Sequence, residues 1–218
     1  MAGADVAELR EFDLSTKKFV PQGFHHRAAD TQVQWLDADR ILIATDFGPK
    51  TVTAAGYPLQ ARIWKRGEPI AKAKLAYESK APGTTGVLLE VHDERGTDPL
   101  VVGEWISFRE VIYYLQEKEQ FSRKLDLPQD SAIREIHGGM AYVSLLSDWQ
   151  TQGQSFSRGS VIALNLREAQ AGKQPIPELV YATQAQEVVV DIQATKDYVW
   201  INSLREVVSR VTRVQKKN

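Results

Sequence analysis

Apolar residues in this chain arrive in short bursts rich in β-branched and aromatic side chains, bounded by glycine, proline and aspartate. That texture predicts strands separated by turns, with few helices. One set of bursts reads TQVQWLDA (31–38), RILIATDF (40–47), QARIWKRG (60–67) and KLAYES (74–79). A second reads GVLLEVH (86–92), PLVVGEWISF (99–108), EVIYYLQ (110–116) and QFSRKLDL (120–127). A third reads AIREIHG (132–138), MAYVSLLSDW (140–149), GSVIALNL (159–166) and ELVYA (178–182). The last set, EVVVDIQAT (187–195), YVWINSLR (198–205) and VVSRVTRV (207–214), has three members.

The sets begin near Thr31, Gly86, Ala132 and Glu187. Four strands per unit at a period of roughly fifty residues is the signature of a β-propeller. A β-sandwich also uses short strands, but without a four-strand super-period. The second burst of each set is apolar at most positions, as expected of a strand covered on both faces. The expected fold is therefore all-β: a β-propeller of about four blades, each a four-stranded antiparallel meander, partial or atypically closed. A single domain over 1–218 would comprise a blade stub at 6–24, blades at about 31–80, 86–127 and 132–183, and an incomplete blade at 187–215. LREAQAG (166–172) allows at most a turn or two of helix inside a loop. The spare strands at 8–24 would complete the blade at 198–214 and close a small ring, or the free strand edges would pair between copies of the chain.

Composition removes function classes. The 27 basic and 28 acidic residues leave a net charge of −1, no footprint for nucleic acid. Zero cysteines exclude disulfides, thiolate nucleophiles and cysteine zinc sites. No apolar run reaches the roughly 18 residues of a membrane span, and MAGADVAELREFD lacks a signal-peptide pattern. A cytoplasmic location is expected, or a periplasmic one if a leader precedes Met1.

Several short motifs suggest chemistry and fail on context. Asp46-Phe47-Gly48 follows His26-Arg27 at about the spacing of the kinase signature. However, His26-Arg27 continues into Ala28-Ala29, without the catalytic aspartate, and no G-x-G-x-x-G precedes it. Gly48-Pro49 instead reads as a strand end, with Asp46 holding a loop that runs on to Gly56-Tyr57-Pro58. Gly153 to Gly159 (GQSFSRG) is two residues too long for a G-x-S-x-G elbow around Ser155, and it lies within QTQGQSFSRG (150–159), which reads as a loop linking the second strand of its set to the third. His25 and His26 are adjacent and cannot both face one ion from a strand. His92-Asp93-Glu94, Asp37 and Asp39 read as turn residues. Trp35, Trp64, Trp105, Trp149 and Trp200 fall one or two to a blade, as core packing between blades would require. No catalytic, cofactor or metal residue is assigned.

Five segments carry a resemblance. REFDLSTKKFV, WLDADRILIATDFGP, AGYPLQARIWKRGEPIAKAK, LLSDWQTQGQSFSRGSVIALNL and the AGK of 171–173 resemble the propeller domain of bacterial prolyl oligopeptidases. The similarity runs over most of 8–215, is densest at 35–73 and diverges at 78–108. It implies about half of a seven-bladed propeller, non-catalytic and without the hydrolase domain, with Met1 to Asp5 in a hairpin loop of that ring. In that family the ring covers an α/β-hydrolase domain with a Ser-Asp-His triad and screens short proline-containing peptides by size. The implied partners are that hydrolase domain and such peptides; no triad residue maps onto this chain. The alternative is a stand-alone propeller-like interaction module.

Overall fold

The computed structural model describes residues 6–81, 83–90 and 98–216. Strands β1 (Ala7–Arg10), β2 (Phe12–Asp13), β3 (Lys18–Phe19) and β4 (His25–Ala29) open the chain. The first four-stranded sheet holds β5 (Gln32–Asp37), β6 (Arg40–Ala44), β7 (Gln60–Lys65) and β8 (Lys74–Glu78). The second holds β9 (Gly86–Glu90), β10 (Val101–Trp105), β11 (Val111–Glu117) and β12 (Gln120–Lys124). The third is built from β13 (Ser131–His137) and β14 (Met140–Leu145), then, after the small pair β15 (Trp149–Thr151) and β16 (Gln154–Phe156), from β17 (Val161–Asn165). Helix α1 (Leu166–Gln170) leads to its fourth strand, β18 (Glu178–Tyr181). β19 (Glu187–Ala194), β20 (Tyr198–Arg205) and β21 (Val208–Gln215) form a last, three-stranded sheet. Within each large sheet successive strands are neighbours in space, all antiparallel, with the β15–β16 pair inserted between β14 and β17 of the third. These are propeller-type sheets. No described helix is long and apolar enough to cross a membrane.

The cores lie between consecutive sheets. Leu42 and Ala44 of β6 pack with Val87, Val102 and Phe121 of the second sheet, while Ile41 and Ile43 turn the other way, toward Phe24. Tyr113 and Leu115 meet Ile133, Val143 and Leu145 of the third sheet; Tyr142 and Val161 face Ile192 and Ile201 of the last. Both faces of β6, β10 and β14 are therefore dry, which is why their sequences are apolar at successive positions. β20 is different. Val199 and Ile201 are buried whereas Trp200 and Leu204 are more than a third exposed, so it alternates like a sheet covered on one side.

The sequence-based expectation errs at three places. The ends do not close the ring: β1 pairs with β4, not with the last sheet. Closing the segment between β1 and β4 costs less chain entropy than joining the two ends of the chain. Residues 150–159 are more than a loop. Gln152 and Gly153, with φ of 47° and 74°, make the left-handed two-residue turn that joins β15 to β16. The tryptophans are not one structural class. Trp64 is buried at 6 % exposure, while Trp35, Trp105 and Trp200 stand at 45, 37 and 38 %. Apolar spacing marks a tryptophan as belonging to a sheet face, not which neighbour covers it.

Helix α1 has a local cause. The Asn165 side chain accepts the backbone N–H groups of Arg167 and Glu168, both at 3.1 Å, and so caps the first turn.

Candidate functional site

A concavity lies at the seam between the first and second sheets. It encloses about 470 Å³ between the β6–β7 connection, the β8–β9 connection and the β10–β11 turn. Tyr57, Trp105 and Phe108 provide aromatic walls, and Pro58, Gly86 and Val87 line it deeper in. Phe108 is fully exposed and Tyr57 half so, a costly placement for apolar rings that nothing in the described residues covers. Volume and lining match a site for a small, largely apolar ligand.

Backbone bonds hold the seam in register. The Val87 N–H donates to the Pro58 carbonyl at 2.8 Å, and the Thr85 N–H to the Trp105 carbonyl at 2.7 Å. The Gln32 amide bridges the two innermost strands, donating to the Val87 carbonyl and accepting from the Leu89 N–H. Glycine at 86 eases a close approach: a Cβ there would sit 3.2 Å from that of Tyr57, tighter than an ordinary contact.

Beneath Trp105 lies a buried carboxylate. Glu104 has no exposed surface. One oxygen accepts from Ser79 Oγ (2.6 Å), Thr84 Oγ1 (2.5 Å) and the N–H groups of Lys80 and Ala81 (3.0 and 2.9 Å). The other accepts from the Tyr77 hydroxyl at 2.5 Å. Burial pushes the Glu104 pKa up, but bonds from Ser79, Thr84, Tyr77 and Ala81 outweigh it and hold the carboxyl below its usual value. Tyr77 moves the opposite way, raised by burial and by the carboxylate it serves. The result is a clasp on the strap that carries Thr84 and Thr85 to the groove. A smaller clasp recurs at the last seam, where Glu187 accepts from Tyr181, Gln184 N–H and Ser203.

The motifs singled out by sequence are structural. Asp46 pairs with Arg27 and accepts the Gly48 N–H at 2.8 Å, closing the turn that the kinase-like tripeptide spells. Phe47 lies under the Arg62 guanidinium at 4.3 Å. His25 pairs with Glu8 at 2.5 Å, whereas His26 is buried. Asp37 accepts the Asp39 N–H, an aspartate turn. Ser155 sits exposed on β16 opposite Gln150. His92, Asp93 and Glu94 lie outside the described residues. Among the described residues no three His, Asp or Glu side chains gather as a metal site. Sequence reasoning missed Glu104 altogether and gave Trp105 to the core; the partners of Glu104 are twenty or more residues away and no spacing rule announces them.

No family model matches the chain. It is 27 % identical to an uncharacterized peptidase of Sinorhizobium fredii over 96 % of its own length, and spans 30 % of that protein. Among solved structures, a post-proline cleaving enzyme from Rickettsia typhi superposes with a TM-score of 0.86 at 24 % identity, covering 99 % of this chain and 33 % of that one. A structure from a study of two prolyl endopeptidases superposes at 0.71 with 13 % identity, over 98 % of this chain and 30 % of the other. The chain thus resembles about a third of a prolyl oligopeptidase-type peptidase and carries the fold of its propeller.

Proposed function

We propose that this chain is a non-catalytic propeller segment of a prolyl oligopeptidase-like serine peptidase, screening short proline-containing peptides for a hydrolase domain that lies outside these residues. The observation that carries the reading is the match along almost the whole chain to about a third of such enzymes. The aromatic groove fits it. Tyr57, Trp105 and Phe108 offer flat apolar faces to proline rings. Folded proteins do not enter a space of about 470 Å³.

The purified chain should not cleave a proline-containing reporter peptide. Serine-reagent-sensitive cleavage by the pure chain overturns the non-catalytic assignment. Tryptophan fluorescence should report weak binding of a short proline-containing peptide, lost in Trp105→Ala; equal binding by that variant removes the groove from the reading.

The exposed edge of the last sheet favours a second reading, a stand-alone interaction module. Val207, Val208 and Val211 are 90, 59 and 68 % exposed along or beside β21; among the described residues β21 pairs on one side, with β20, and an apolar edge of that kind accepts another strand. Sedimentation separates the two: a concentration-dependent dimer abolished by Val211→Lys supports the module, and a monomer removes it.

A further inference from the structure

The N-terminal hairpin lies over the outer face of the first sheet and is fastened there by few contacts. Phe24 meets Trp35 and Trp64 edge-on, with ring centroids 5.6 and 5.1 Å away. Arg66 reaches from the sheet to Glu11 at 2.6 Å, and Arg27 pairs with Asp46. Between these fasteners sits His26, only 7 % exposed, and its Nε2 has no hydrogen-bond partner. A buried ring nitrogen without a partner is tolerable while the imidazole is neutral. Once protonated, that nitrogen carries a proton with no acceptor in a buried seam, and burial and the Arg27 charge outweigh the backbone bond and the carboxylate that Asp46 offers the ring.

We propose that residues 7–29 form an acid-released cover over the first sheet, lifted when His26 takes up a proton. The ring's charged neighbours are Arg27 and His25 on its own strand and Asp46 from the loop after β6. Arg27 is already engaged by Asp46, so the added proton brings two cations together against one carboxylate. The other charges of the hairpin and seam are Glu8, Arg10, Glu11, Asp13, Lys17, Lys18, Asp39 and Arg66, with Asp13 held locally by Ser15 and Thr16. They do not compensate. Glu8 holds His25 within the hairpin itself, and Glu11 is committed to Arg66.

Burial, then Arg27, lowers the His26 pKa from its ordinary 6.5. Attachment is therefore at full strength above that value and weakens as pH falls below it toward the folded-state pKa. Hydrogen bonds from Arg66 and Arg27 hold Glu11 and Asp46 below their usual values, so these fasteners stay charged in the same window. Proton uptake by His26 in that window acts against the attachment. Release would bare Ile41, Ile43 and Trp64, an apolar face shielded at neutral pH.

Hydrogen exchange on the full chain tests this at pH 7.5 and 5.5, after correction for intrinsic rates. Protection at residues 20–29 should fall by up to about tenfold per pH unit below the ordinary histidine value, while residues 140–145 keep theirs. In His26→Leu the acid effect at 20–29 should vanish. Unchanged protection in the wild type, or the same pH dependence in the variant, overturns the proposal. An NMR titration of the wild-type imidazole covers the case of a variant that does not fold. Coincidence of the His26 ring titration with loss of hairpin signals supports release, and a ring that titrates at or above the ordinary value with those signals intact overturns it.

Discussion

Replacing Glu104 with glutamine removes one charge and almost no volume from the seam between the first two sheets. The side chain has no exposed surface and takes five hydrogen bonds, four of them on one oxygen. A glutamine can keep its carbonyl toward Ser79, Thr84 and the two backbone N–H groups, and the Tyr77 hydroxyl can turn to accept from the new amide. What is lost is charge assistance, about 1 kcal/mol for each bond. The relieved cost of burying a carboxylate, several kcal/mol, offsets part of it. The net expectation is a loss of about 2–3 kcal/mol for Glu104→Gln. Glu104→Ala leaves five donors without an acceptor, and two, the N–H groups of Lys80 and Ala81, cannot rotate away. That variant should lose about 4–5 kcal/mol. Urea unfolding at neutral pH, with slopes compared between variants, measures both. The pH dependence is an internal control. Because the folded-state pKa is lowered, the contribution of Glu104 is present above the ordinary glutamate range and lost as pH falls through the folded value. The gap between wild type and Glu104→Gln should therefore narrow in acid. A glutamine variant within about 0.5 kcal/mol of wild type, or an alanine variant milder than the glutamine one, would refute the clasp as an energetic device.

Two further substitutions separate local from seam effects. Phe24→Ala removes the ring wedged against Trp35 and Trp64 and should cost about 3–4 kcal/mol; calorimetry and a changed tryptophan spectrum check it, and an unchanged spectrum contradicts the packing. Asn165→Ala deletes both cap bonds of α1 and should cost about 1 kcal/mol, read as a small shift of the urea midpoint with the slope unchanged.

Strand content was legible because each second strand of the large sheets is squeezed between two others. The run Ile41-Leu42-Ile43-Ala44 has no polar face, and that run announces burial on both sides. The β15–β16 hairpin was not legible: Gln-Gly is a weaker turn signal than Asn-Gly, and Trp149 and Phe156 meet, at 5.9 Å, only once the turn has formed. The groove was half legible. Tyr57 and Pro58 stood out as loop residues, yet Trp105 looked like any core aromatic, because exposure is decided by the neighbouring sheet. Glu104 was invisible for a related reason: a lone acid in an apolar strand looks like an accident until Tyr77, Ser79 and Thr84 arrive from beyond its own sheet. The kinase-like tripeptide shows the converse, since Asp46 has the right neighbours in sequence and turn-forming ones in space.

Each core in this molecule is shared by two consecutive layers, the hairpin with the first sheet and each sheet with the next. Cohesion of that kind behaves as a chain of links, so damage is contained. A cavity opened between the second and third sheets loosens that joint and leaves the joint between the third and last intact. The same arrangement gives synthesis a direction. Emerging from the ribosome, each completed sheet is already covered on its earlier side and offers its later side as the template for the next. The sticky surface of the growing protein is then never more than one sheet wide.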